Sequence, residues 1–269
     1  EANLGRGSLR GGYEYVGAGY TSLGLAYLIN DRKAWNLGGN VRLLGSHLTL
    51  QGQYQHQNDN LLRQKSATTR RDAMSLSAAV MLGRRFTSVV TAMANVMANN
   101  AAVDTFLVDN RSFAFTSTSA MQTTLWGRPA SVSLTYSFQR TEDANVITRI
   151  PQVTVRNVVA ALQVGVTKAI SVAPTVSLAI TKNETAPTQR NLYLGLRAQA
   201  RKGKVRTSFA ATQTFTNSRG VMGLNGQMNY TLPWQGTLAL QGRHNRYAAI
   251  GSRPAFQETV FSLTMGRSF

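Results

Sequence analysis

Two residue types in this chain could carry chemistry, histidine and arginine, and their spacing separates them. Histidine occurs only as His47, His56 and His244. A nucleophile–histidine–acid set would need a hydroxyl and a carboxylate beside one of these on adjoining positions. Ser and Thr are so abundant that nearness to a histidine carries little weight. No His-x-x-x-His, paired carboxylates or Asp-rich loop is present to hold zinc or calcium. There is no cysteine, hence no thiolate site and no disulfide. The sequence therefore assigns no catalytic residue, no metal ligand and no cofactor, and the chain reads as a non-enzyme. Arginine is more informative. Arg42, Arg197, Arg206 and Arg243 share the polar parity of their segments with Gln51, Gln53, Gln199, Thr212, Asn225, Gln227, Gln241 and Asn245. A guanidinium forks onto an oxyanion through two hydrogen bonds. Four of them on a face with almost no acids, Glu14 being the best candidate, would attract anions. They could equally satisfy carbonyls or an inserted plug, and both readings stay open here.

What must position these residues is a set of strands. Leu48, Leu50 and Tyr54 alternate with Thr49, Gln51, Gln53 and Gln55; Val132, Leu134, Tyr136 and Phe138 alternate with Ser131, Ser133, Thr135 and Ser137; Leu192, Leu194 and Leu196 face away from Arg197 and Gln199. A period of two repeated along the chain argues strands. Tight connections fall at 43–48, 81–86, 125–130, 166–171, 201–206 and 233–238, and looser ones at about 28–34, 57–71, 99–111, 140–152, 183–190, 216–220 and 247–256. The strands between them run to about 10–15 residues, more than the roughly 5–6 of ordinary sheets and enough for the roughly 9–11 that cross a bilayer at a tilt. About 14 strands result, with 12 as the alternative, the first near 13–27 and the last near 257–269. Residues 1–12 read as a flexible leader. With no initiator Met and no signal-like apolar region, the chain reads as a mature form or a piece of something longer.

Composition says which solvent the apolar faces meet. Of the 269 residues 43% are hydrophobic but only 15% charged, against roughly 25% charged in soluble domains. A soluble β-sandwich or solenoid would also alternate, but its water-facing strands would carry Lys and Glu. Here the strand interiors are nearly free of both. Asp31, Asp59, Asp72, Asp104, Asp109, Glu142, Asp143 and Glu184 are placed in the loose connections. A charge-poor band between charged rims suits a bilayer, whose midplane makes an ion cost a few kcal/mol. The 29 basic residues exceed the 11 acidic ones, for a net charge of +18, which suits phosphate-bearing surfaces. Neither a basic helix nor an interleaved stacking platform is present for nucleic acid.

Aromatic residues agree with that level structure: Trp126, Trp234 and Phe269 lie toward the tight turns, and Trp35 toward the other rim. The closing run FSLTMGRSF, with Phe261, Leu263, Met265 and Phe269 on alternate positions, resembles the terminal strand of Gram-negative outer-membrane β-barrels; Arg267 departs from the aromatic commoner at its position. The resemblance implies an all-β, antiparallel up-and-down transmembrane barrel, residues 13–269, with short periplasmic turns, longer outer loops and both termini periplasmic. It also implies that the barrel-insertion machinery reads the last strand, and that membrane lipids and lipopolysaccharide surround the protein. Two functions follow as expectations. One is a passive channel for small, preferentially anionic solutes, lined by Arg42, Arg197, Arg206 and Arg243. The other is an anchor that holds the other subunits of an envelope assembly in the membrane.

Overall fold

A computed structural model describes residues 2–3, 6–17, 31–145, 151–216, 219–232, 236–249 and 254–267. Among them a two-residue strand, β1 (Ala2–Asn3), precedes fourteen long ones. These are β2 (Gly7–Val16), β3 (Arg32–Leu43), β4 (Leu48–Asp59), β5 (Thr69–Leu82), β6 (Phe86–Asn99), β7 (Asp109–Leu125) and β8 (Arg128–Asp143). They continue as β9 (Val153–Gly165), β10 (Ile170–Asn183), β11 (Ala186–Lys202), β12 (Val205–Thr216), β13 (Arg219–Thr231), β14 (Gly236–Tyr247) and β15 (Phe256–Arg267). Each strand bonds to its neighbours in sequence, without a crossover.

The tight connections expected at 43–48, 81–86, 125–130, 166–171 and 201–206 are tight; the one at 233–238 lies partly outside the described residues. Trp126 and Gly127 both adopt positive φ, 50° and 71°, the two-residue turn whose twist suits a hairpin. Two boundaries differ from the sequence expectation. The first long strand begins at Gly7, so residues 7–12, expected in the leader, pair with β3 from Gly7↔Val41 to Gly12↔Asn36. Glycine permits that approach: a Cβ on Gly7 would stand 2.5 Å from the Asn40 carbonyl oxygen. The other half of that expected strand, 18–27, lies outside the described residues. The connection expected as loose at 183–190 is a two-residue turn instead, because β10 ends at Asn183 and β11 starts at Ala186. Asn183 Oδ1 accepts hydrogen bonds from Thr185 N at 3.1 Å and Thr185 Oγ1 at 3.2 Å, closing the turn with its own side chain. Pro187, second in β11, falls where a missing N–H costs least.

The chain divides into two units that share the central strands. The first comprises Glu1–Thr118, Ser137–Arg156 and Thr181–Pro187; the second comprises Ser119–Tyr136, Asn157–Ile180 and Thr188–Phe269. Within the first, β2 to β6 form antiparallel ladders whose register gives two unlike faces. Asn40, Gln51, Ser77 and Thr91 align on one face, and Val41, Leu50, Ala78 and Val90 on the other. Within the second unit Gln199, Ser208, Gln227, Gln241 and Ser262 align on one face. Its other face carries the row Ala198, Phe209, Gly226, Gly242 and Phe261.

The apolar faces of the described strands stay largely exposed. Among the described residues only Val16, Ala34 and Ala130 form a buried apolar core, while Leu76, Leu263 and Phe261 are 50%, 68% and 76% exposed. The accessible surface is 18704 Å², where a folded globular chain of this mass exposes about 11,500 Å². A soluble sandwich would hide such residues between its sheets, so that reading fails.

Among the described residues the looser connections are held by asparagine. Asn60 Oδ1 accepts from Lys65 N at 2.9 Å, and its Nδ2 donates to Lys65 O, Ala67 O and Thr68 Oγ1 at 3.0–3.2 Å. Asn145, fully buried, donates to the carbonyls of Asp104 and Leu107.

Candidate functional site

The polar face of the second unit carries several arginines among asparagines and glutamines. Register alone sets it. Arg197 (β11), Ala210 (β12), Asn225 (β13) and Arg243 (β14) form one row, and Arg201, Arg206 and Asn229 form another, with the Gln199 row between them. The structure thus gathers Arg197, Arg206 and Arg243 on one face. Arg42 occupies the corresponding polar face of the first unit, opposite Thr49.

Two residues missed in the sequence complete this face. Arg201 continues the parity of Arg197 and Gln199 and stands directly across from Arg206. Glu258 of β15 pairs with Asn245 in register. Its carboxylate accepts from Arg243 Nη2 at 3.2 Å and from Asn245 Nδ2 at 3.4 Å. The expectation of arginines unopposed by acids therefore fails at Arg243. In the first unit Glu14 is likewise engaged, by Arg32 at 2.6 Å.

Two cavities line this face. One, of about 510 Å³, is bordered by Tyr193, Arg197, Thr212, Asn225, Arg243 and Asn245. Its floor depends on small residues: a Cβ on Gly195 would meet the Tyr193 ring at 2.8 Å, and one on Gly223 would meet Thr212 Oγ1 at the same distance. The other, of about 610 Å³, lies nearer the tight turns and includes Lys168, Arg197, Arg201 and Arg206.

The histidines do not assemble with these groups. His47 sits at a tight connection, its Nδ1 2.9 Å from Met81 O. His244 lies on the apolar face, its Nδ1 2.8 Å from Thr259 Oγ1. His56 also lies on an apolar face, in the row Trp35, His56 and Asp72. Asp72, expected in a loose connection, is inside β5. Its Oδ1 lies 2.6 Å from the Tyr54 hydroxyl and 2.7 Å from His56 Nδ1, and its Oδ2 accepts from Arg70 Nε at 2.6 Å. The tyrosine thus donates to the acid and not to the imidazole. A charged group on an apolar strand face is held there by three partners, each meeting part of its hydrogen-bonding demand.

The aromatic and terminal residues divide between described and undescribed positions. Trp35 packs edge-on to Tyr54, centroids 5.1 Å apart, and lies 5.5 Å from the His56 ring. Trp126, at its tight turn, is 89% exposed. Phe261, Leu263 and Met265 share the apolar face of β15 opposite Gly242, Leu240 and Leu238. Trp234 and Phe269 lie outside the described residues.

No family model and no curated protein matches the sequence. Among solved structures, the siderophore receptor PirA from Pseudomonas aeruginosa is similar at 9% identity with a TM-score of 0.57, over 91% of this chain and 43% of the receptor. The ferric enterobactin receptor PfeA from the same organism is similar at 9% identity with a TM-score of 0.55, over 81% of this chain and 42% of the receptor. The chain spans less than half the length of either receptor. At such identities the likeness speaks to fold alone. Together with the up-and-down order of the strands and their unlike faces, it assigns this chain the transmembrane antiparallel fold of the outer-membrane β-barrels.

Proposed function

We propose that the chain is an integral outer-membrane barrel through which water and small solutes pass along the polar face, anions ahead of cations. One observation carries the reading: Arg197, Arg201, Arg206 and Arg243 share a strand face in a part of the sequence whose only acid after Glu184 is Glu258. Barrels of about 14 strands leave a lumen wider than side chains fill, and charged rings select ions by sign. On this reading Arg42 adds a further cation, and permeation is diffusion biased by the local field. The tight turns face the periplasm, where Arg84, Arg85, Arg128, Lys202 and Lys204 meet anionic phospholipid headgroups. The longer connections face outward, toward lipopolysaccharide. Trp35 and Trp126 sit at headgroup level, and Phe261, Leu263 and Met265 serve the insertion machinery.

The test is conductance of the purified protein in planar bilayers. Steady openings with a reversal potential on the anion side, moved toward zero when Arg42, Arg197, Arg206 and Arg243 become Gln, support the channel. A folded, inserted protein that conducts nothing overturns it and leaves the anchoring role.

A further inference from the structure

Basic residues of the described strands sit in unlike settings. At the loose ends of strands in the first unit, arginines stand two residues from an acid on the same strand and bond to it. Arg70 meets Asp72 at 2.6 Å, Arg111 meets Asp109 at 3.0 Å, and Arg140 meets Glu142 at 2.7 Å. The cavity near the tight turns of the second unit is built differently. Lys168, Arg197, Arg201 and Arg206 line it together with the amides of Gln199 and Asn229, and no carboxylate borders it. Arg201 and Arg206 are direct cross-strand partners. Such partners have Cβ atoms about 4.5–5.5 Å apart, a placement in which like charges destabilise the sheet. Folding therefore leaves a repulsion here that a multiply charged anion would relieve.

We propose that this cavity is a binding site for a small polyanion bearing phosphate groups. Guanidinium pairs give forked, two-point bonds to a tetrahedral oxyanion, and lysine adds a point charge. Side-chain amides supply donors without adding charge, which favours discrimination by shape over mere accumulation. Arg197 and Arg201 are four residues apart on one strand, so their Cα atoms are about 13 Å apart. That span, with the Arg201–Arg206 pair at one end, suits two linked phosphates better than one. The cavity, about 610 Å³, accommodates a nucleotide-sized solute. The second cavity on the same face is less suited, because Glu258 already occupies Arg243. The proposal rests on the reading that water reaches the polar face, and it makes anion preference local instead of uniform.

The experiment is equilibrium binding of pyrophosphate to the folded full chain in zwitterionic detergent, followed by calorimetry and by ³¹P line broadening. Orthophosphate and chloride are the competitors, and a parallel titration uses a short-chain phosphatidylglycerol. The expected result is one saturable pyrophosphate site per chain, at least tenfold tighter than orthophosphate. Arg201→Gln with Arg206→Gln should weaken it at least tenfold, and Arg111→Gln, at the loose end of β7 where Asp109 already pairs the guanidinium, should leave it unchanged. Should the double variant misfold, Arg206→Lys keeps the charge, removes the fork, and is expected to weaken binding severalfold. Non-saturable uptake, equal affinity in the Arg201/Arg206 variants, or preference for the lipid headgroup overturns the solute site. Because binding is measured without current, saturable binding in a non-conducting protein would sink the channel and spare the site. Conductance without binding would do the reverse.

Discussion

Glu258 offers the most direct perturbation of the proposed selectivity. Its carboxylate is 3.2 Å from Arg243, so an ion passing both sees a near-neutral pair. Glu258→Gln keeps the side chain's size and the contact with Asn245, and leaves Arg243 as a net positive charge. At about 6 Å through water a unit charge acts on a monovalent ion with about 0.7 kcal/mol, falling to about 0.4 kcal/mol after screening at 0.1 M salt. The sign is opposite for anion and cation, so the two shifts add to about 0.8–1.4 kcal/mol. The anion-to-cation permeability ratio should therefore rise roughly three- to tenfold. Arg243→Gln strands the carboxylate and should lower the ratio by a similar factor. Both partners are about half exposed, and exposed pairs contribute only about 0–1 kcal/mol to stability, so both variants should fold. The assay is reversal potential across a KCl gradient in planar bilayers. A Glu258→Gln protein that conducts like wild type with an unmoved or cation-shifted reversal potential would refute the reasoning.

Other consequences can be checked on folded protein alone. Asp72→Asn removes the charge that Tyr54, His56 and Arg70 converge on and should destabilise the chain by about 1–3 kcal/mol; thermal melting in detergent that differs from wild type by less than a degree would count against it. Leu240→Arg, on the apolar face opposite Leu263, should cost about 2–4 kcal/mol in lipid, while its neighbour Gln241→Arg, on the polar face, should be tolerated; equal urea midpoints in vesicles would contradict the assignment of faces. Trp126 holds φ at 50°, so Trp126→Gly should relieve about 1 kcal/mol of backbone cost in detergent, visible as a raised melting temperature.

How much of this could be read from the sequence follows from what period two encodes. Parity within a strand is local, so the polar faces holding Arg197, Gln199 and Gln241 and the apolar faces of Leu192 and Leu263 were legible from alternation. Turn chemistry marked the hairpin at Trp126–Gly127. Register between strands is another matter, because it is set by pairings across the sheet. Nothing near Glu258 in sequence says that it reaches Arg243, fifteen residues away, or that Arg201 faces Arg206. In sequence Asp72 reads as part of a connection because a lone acid at a strand end resembles loop chemistry; its partners on β4 hold it in the strand. Glycine blurred the alternation of residues 7–12, and Asn183 with Pro187 resembled a longer loop than the two-residue turn they make.

The sequential order of the strands has a bearing on how the protein can change over time. Every ladder joins chain neighbours, so lengthening a connection alters the closure entropy of that hairpin alone. Doubling a loop costs only about 0.6 kcal/mol. The stretches between β4 and β5 and between β6 and β7 can therefore be rewritten or enlarged with little effect on the wall. What the connections present and what the polar faces of the strands do are free to evolve separately.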